Sequence, residues 1–141
     1  MTQQIPLGRI GCAGVVIKDK KILLLKRRSD ATRCPDKWTL PAGGIEPTDA
    51  SLEACVVREV KEEAGLNFVP TKKFKFYQSL PEDGKRNISL VFLGDWSGNL
   101  RIQLEEVSAG DFFSYDEFKK LKMAFAYGEV VEDLKLAGYI N

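Results

Sequence analysis

Hydrophobic and polar positions change rhythm several times along this chain. Ile10 to Lys18 (IGCAGVVIK) and Ile22 to Arg27 (ILLLKR) are strand-like runs on either side of Asp19-Lys20-Lys21, which predicts a hairpin. From Cys34 to Glu46 (CPDKWTLPAGGIE), two prolines and two adjacent glycines break any regular pattern, leaving loop with one short strand around Trp38 to Leu40. Ser51 to Ala64 then has helical spacing, with Gly65 as its stop and Val57, Val60 and Ala64 as its apolar stripe. Lys72 to Ser79 and Asn87 to Trp96 predict two strands joined by the turn Pro81-Glu82-Asp83-Gly84, and Ala109 to Phe113 a further short one. Ser114-Tyr115-Asp116-Glu117 is a capping box opening a helix toward Leu121, and a last helix is predicted from Phe125 to Ala137, stopped by Gly138. Strands outnumber helices in an α/β mixture. No repeat or linker interrupts residues 1–141, which are expected to form a single domain.

Composition narrows the function classes. With 44% hydrophobic and 29% charged residues in 141, the chain has the make-up of a soluble globular protein that buries a core. Lys and Arg number 21 against 20 Asp and Glu, a formal charge of +1, so no overall basic field gathers nucleic acid or anionic membrane. The first residues show no secretory leader and no stretch is apolar for long enough to span a bilayer, so a cytoplasmic location is expected. Three cysteines, at 12, 34 and 55, form no CxxC pair and are expected as free thiols. There is no histidine, which removes His-based nucleophile systems and leaves acid-base work to carboxylates, lysine or tyrosine.

Residues 58–66, REVKEEAGL, concentrate the candidate chemistry. Each helical residue advances by roughly 100°, so Glu62 and Glu63 lie about 60° to one side and 40° to the other of Glu59. All three carboxylates share one face. A solvated acidic face is the ordinary reading of such a run. Its mutual repulsion, offset locally by Arg58, also suits a hard divalent cation, Mg²⁺ or Mn²⁺, held by oxygen ligands. Upstream, Gly43 and Gly44 make either a plain turn or a place where backbone bends sharply to approach a phosphate or metal. Lys26-Arg27-Arg28 ends a strand close by, as a phosphate-binding group or an exposed basic strand end. Cys55, one turn before Glu59, is read as packing against the loop.

The run LPAGGIEPTDASLEACVVREVKEEAGL resembles the signature of the Nudix hydrolases: Gly, five residues, Glu, seven residues, then R-E-U-x-E-E-x-G-U with U a bulky aliphatic. Arg58 to Leu66 fit every specified position of the second half. Trp38-x-Leu40-Pro41-x-Gly43 is similar to the family's lead-in, and Ile22 to Arg28 to its second strand. The first half departs. Five residues on from Gly43 stands Asp49, with eight residues instead of seven before Arg58, so the first glutamate is replaced by Asp49 with one residue inserted, or is missing.

The resemblance implies an α/β/α sandwich with a mixed central sheet and an Mg²⁺-dependent hydrolase, Mn²⁺ being the alternative ion. Its substrate would be a nucleoside diphosphate linked to another group, cut at the pyrophosphate by water. Glu59, Glu62 and Glu63 would be metal ligands together with a backbone carbonyl near Gly43; Glu62, Glu59 and Arg58 would form the catalytic group, with Arg58 orienting the glutamates. Arg27, Arg28 and Gly44 would contact substrate. Asp49, Glu82, Glu105 and Glu106 are further candidates. Trp38, Phe74, Phe76, Tyr77, Phe112 and Phe113 are read as core before base-stacking residues. Pro81, fifteen positions past Leu66, resembles a proline of ADP-ribose-type members, which ranks ADP-ribose or a nucleotide sugar slightly above a nucleoside triphosphate. Nucleic acid and membrane are not expected as partners, and a homodimer is left open. The alternative reading is a catalytically silent Nudix-like module that binds a nucleotide as a sensor.

Overall fold

The computed structural model describes residues 7–80 and 84–141. Strand β1 (Leu7–Val15) leads through the short β2 (Ile17–Lys18) into β3 (Lys21–Arg27). The β2–β3 turn has Asp19 and Lys20 at φ 52° and 63°, the left-handed pair that matches the twist of a two-residue hairpin. Next come β4 (Trp38–Thr39), β5 (Ala42–Gly44) and α1 (Leu52–Ala64). The chain continues through β6 (Asn67–Ser79), β7 (Arg86–Ser97), β8 (Val107–Phe113), α2 (Tyr115–Phe118) and α3 (Tyr127–Leu136).

One sheet runs β5-β1-β7-β6. It is mixed: β1 and β7 are parallel, from Ile10↔Ile88 to Val15↔Leu93, while β5 and β6 pair antiparallel to them. The second sheet is built on β3, with β2 and β4 meeting different stretches of it and β8 pairing from Ile22↔Phe113 to Arg27↔Val107. Alternation along the strands divides the core in two. Cys12, Leu90 and Phe92 pack with Val56 and Val60 of α1. Their neighbours Ala13, Val91 and Leu93 pack with Val130, Val131 and Leu134 of α3. Strand β3 splits the same way, Leu23 and Leu25 on the α1 side and Ile22 and Leu24 on the other. The result is the expected α/β/α layering, with two four-stranded sheets in the β layer.

Several elements depart from the sequence expectation. Gly43 and Gly44 do not bend: they lie in β5, paired with Cys12 and Gly11, and neither has a positive φ. Strand β6 starts at Asn67, five residues early, and accommodates Pro70 because it is the sheet edge and bulges there. Helix α2 stops at Phe118, and α3 begins at Tyr127 because Phe125 sits at φ 52°, outside the helical region. On α1, Val57 is 39% exposed; the buried stripe passes through Val56, Val60 and Ala64. Spacing of four, not three, follows the helix's own drift. Pro81 and Glu82 lie outside the described residues.

Gly14 sets how closely α1 approaches β1. A Cβ there would lie 2.8 Å from Val60 Cγ2 and 3.2 Å from Val56 Cγ2. Gly14→Ala is therefore expected to overpack this seam and cost about 1–3 kcal/mol, read as a lower urea midpoint at unchanged slope. An unchanged midpoint would show that the helix is not seated this tightly.

Candidate active site

Helix α1 carries the acidic face and is anchored at both ends. Ser51 Oγ accepts from Ala54 N at 3.0 Å at its start, and Gly65, at φ 71°, donates its N–H to Lys61 O at its end. With Val56, Val60 and Ala64 turned into the core, the adjoining row Cys55, Glu59 and Glu63 is directed at β5. The cleft formed there holds about 700 Å³ and is lined by Glu59, Glu62 and Glu63, by Gly43 and Gly44, and by Arg9 and Arg27 from neighbouring strands. Glu106, just before β8, completes the rim.

Arg58 ties the cleft together. Its Nε and Nη2 donate to the two carboxylate oxygens of Asp49 at 2.9 and 2.8 Å, the bidentate geometry that a guanidinium favours. Nη1 donates to Glu59 Oε1 at 2.8 Å and to Glu62 Oε2 at 3.2 Å, and Nη2 also reaches Gly44 O at 3.2 Å. Glu46 approaches to 3.6 Å. The bonds from Arg58 and from the Glu46 backbone N–H hold the Asp49 carboxyl down at about 2.

The three glutamates differ in burial. Glu63 is buried and accepts from Ala42 N at 2.7 Å; desolvation, reinforced by the Glu59 charge, raises its carboxyl well above the ordinary range. Desolvation also pushes Glu59 up to about 7, against the pull of Arg58. Glu62 has a half-exposed side chain. Gly43 explains how Glu59 fits: a Cβ there would fall 2.2 Å from Glu59 Oε1 and 2.3 Å from its Cδ. Any side chain at 43 would occupy the space of the carboxylate.

A model of the NUDIX domain matches residues 8–134. The chain belongs to the Nudix family. Its assignment as a Nudix pyrophosphohydrolase follows from that membership together with its relatives. An ADP-ribose pyrophosphatase of Methanocaldococcus jannaschii is 34% identical over 124 residues, covering 85% of this chain and 69% of that protein. A NAD-capped RNA hydrolase NudC of Mannheimia succiniciproducens is 31% identical, covering 75% of this chain and 40% of its own length. Among solved structures, a MutT protein from Methanosarcina mazei Go1 superposes with a TM-score of 0.81 at 25% identity, over 96% of this chain and 98% of that one.

Within this Nudix cleft, most residues singled out from sequence are brought together: Arg58, Glu59, Glu62, Glu63, Gly43, Gly44, Arg27, Asp49 and Glu106. Arg28 is not. Just past the end of β3, its side chain pairs with Asp30 at 2.9 Å and donates to Leu104 O, and it does not line the cleft. Glu105 lines a smaller depression together with Glu62 and Lys61, and Glu82 lies outside the described residues. Trp38, Phe74 and Phe113 pack on the α3-side core, as read, and Phe112 on the α1 side. Tyr77 is buried on the α3 side, whereas Phe76 is 61% exposed.

Sequence reading missed Arg9, Glu46 and the wall beside the cleft. A smaller cavity opens off it through Arg9, Arg27 and Gly43 and is lined by Asn87, Phe125 and Tyr127. Asn87 Oδ1 is buried there without a hydrogen-bond partner among the described residues. Phe125, in its left-handed conformation, carries the Arg27 and Arg33 guanidinium groups at 5.2 and 5.4 Å from its ring centre. Arg9 stands beside no motif, and β1 brings it to the cleft only through its register with Asn87 and the pairing of Gly11 with Gly44, against which the Arg9 side chain lies. Phe125 carried one signal, a bulky residue just ahead of a helix.

The raised carboxyls make a signed prediction, because no histidine titrates in the same window. Glu59 moves from an ordinary 4.5 to about 7, so its contribution to stability is complete below pH 4.5 and is lost as pH rises through 7. Glu63 adds in the same direction. Asp49 acts oppositely, but only near pH 2 to 4. In the presence of a chelator, Tm is expected to fall between pH 5 and pH 8, and Glu59→Gln to flatten that fall. An identical slope in the variant would remove the desolvated carboxyl from the account.

Proposed function

We propose that the chain hydrolyses the pyrophosphate of a nucleoside diphosphate joined to another group, with Mg²⁺ as the working cation. The observation that carries this reading is the buried Glu63 beside the partly buried Glu59 and the half-exposed Glu62, the last two held by Arg58, on the wall of a cleft that two further arginines line. ADP-ribose or a nucleotide sugar is the preferred substrate class, supported by the named activity of the archaeal relative and by the ADP-ribose complex formed by a Nudix domain of similar fold, from Shewanella oneidensis NrtR.

The donor set fits a hard divalent ion. Glu59 and Glu62 each use one carboxylate oxygen on Arg58, and Glu63 uses one on Ala42 N, so the second oxygen of each has no protein donor among the described residues. Those side chains do not yet close around one point, since no group of three acidic, Cys or His residues among the described residues is gathered tightly enough to hold an ion as it stands. Glu62, on an exposed turn, is the one free to swing in. A backbone carbonyl near Gly43 would join the ligands. Bound there, the cation neutralises phosphate oxygens and lowers the pKa of an attacking water.

This chain's residues then have distinct parts. Arg27 and Arg9 reach into the cleft from the β3 and β1 side and hold the diphosphate by charge-assisted hydrogen bonds. Arg27 is held for this by its Nε bond to Arg33 O at 2.9 Å and its seat over Phe125. The wall of Phe125, Tyr127 and Asn87 receives the nucleoside end. Glu62 takes the proton from water, with Glu106 lining the same cleft, and Arg58 keeps Glu59 and Glu62 on one side. A cleft of about 700 Å³ is within the ordinary range for small-molecule sites.

The test is a product assay on a panel of nucleoside diphosphate derivatives with and without Mg²⁺. Turnover of the best compound should require the metal, and Glu62→Gln should lower kcat by ~10²–10⁴. Tight binding of a compound without turnover would favour the sensor reading instead. For the basic strand end, Arg27→Ala should raise KM at least tenfold while Arg28→Ala leaves it within about twofold, since only the first side chain enters the cleft. Equal effects would reverse the assignment of the two arginines.

A further inference from the structure

Cys12 and Cys55 take no part in the chemistry above, yet they meet beneath it. Cys12 lies on β1 opposite Gly43, and Cys55 lies on α1 one turn ahead of Glu59. Both are free, both are 0% exposed, and their Sγ atoms are 2.9 Å apart although the residues are 43 positions apart in sequence. A buried cysteine usually packs as a small hydrophobe, which requires no second sulfur. Ordinary non-bonded carbon atoms sit about 3.5–4.0 Å apart, and a disulfide brings sulfurs to ~2.05 Å. The two thiols are already closer than packing alone would place them. Cys55 Sγ is also 3.9 Å from Gly43 O and from Arg58 Nη2, both at the cleft.

We propose that Cys12 and Cys55 are a reversible disulfide site that staples the carboxylate helix α1 to β1. The oxidant is a hydroperoxide. With hydrogen peroxide, the Cys55 thiol takes one oxygen to become a sulfenic acid and one water leaves. Cys12 sulfur then attacks Cys55 sulfur, the S–O bond breaks, and the hydroxyl departs with the Cys12 proton as a second water. In sum, two thiols and one peroxide give one disulfide and two waters, and a small thiol reverses the bond by exchange. Both thiols are fully buried, so access needs local opening of the structure, and the reaction is slower than that of a free thiol. Closing the bond needs the sulfurs to approach by less than about 1 Å, given the disulfide length above. Cys34, buried between β3 and β4, is the internal control.

The experiment uses the folded protein with hydrogen peroxide, followed by denaturing alkylation, intact mass and peptide mapping without reductant. The expected product carries one alkyl group where the reduced control carries three, a deficit of two alkyl groups plus 2 Da, with Cys12 linked to Cys55 and Cys34 alkylated. Because the bond closes a loop of some forty residues, Tm should rise by roughly 10 °C and return on adding dithiothreitol. Cys34→Ser should keep both the mass change and the shift; Cys12→Ser should lose both. If Cys12→Ser fails to fold, the wild-type peptide map decides. The proposal is overturned by linkage through Cys34, by Cys55 passing to sulfinic acid without loss of 2 Da, or by a Cys12–Cys55 bond that leaves Tm within 2 °C.

Discussion

Arg58 is the group on which the site depends. Three glutamates on one helical face repel one another, and two of them have been drawn out of water, where an unpaired negative charge is costly. One guanidinium offsets this by spreading its donors over Asp49, Glu59, Glu62 and Gly44 O. Because that group is planar and its bonds diverge, it fixes the loop after β5 and the helix face in the same act. A lysine would carry the same charge but not the fork that meets both oxygens of Asp49.

The opposing wall is shaped by what it omits. Strand β5 runs straight past the carboxylates, and the lack of a Cβ at Gly43 is what lets Glu59 lie against it. The same economy of space returns at Gly14, where β1 and α1 come together. Above this, the two arginines that enter the cleft come from strands in different sheets, β1 and β3, so the cleft belongs to the junction of the two sheets and not to either one. Phe125 adds backbone strain and a cationic stack at that junction, a combination that occurs where a site imposes its geometry on the chain.

Asp49 shows how a departure from a family pattern is resolved physically. Counted along the sequence, it stands where a glutamate is expected but with one residue too many before Arg58. In space it occupies both donors of one edge of the Arg58 guanidinium and takes the Glu46 N–H as well. The stretch that carries it, residues 45–51, is largely exposed, and such a loop tolerates a change of length at little cost. What this position supplies is a carboxylate gripping the arginine.

By itself the sequence determined the α/β class, the capped helix, its three-carboxylate face and the family signature, because caps, periodicity and fixed spacing are local properties read within a few turns of chain. It misplaced Val57 because a stripe drawn with one wrong step still looks apolar, and it took the glycine pair for a bend because the partner strand β1 is some thirty residues away. Only the tertiary structure decided which of Arg27 and Arg28 faces the cleft, that Arg9 belongs to it and Asn87 and Phe125 to the cavity beside it, and that Cys12 meets Cys55. Those outcomes depend on strand register and on which side of a sheet a neighbouring element lies, and register is settled by contacts between residues far apart in the chain.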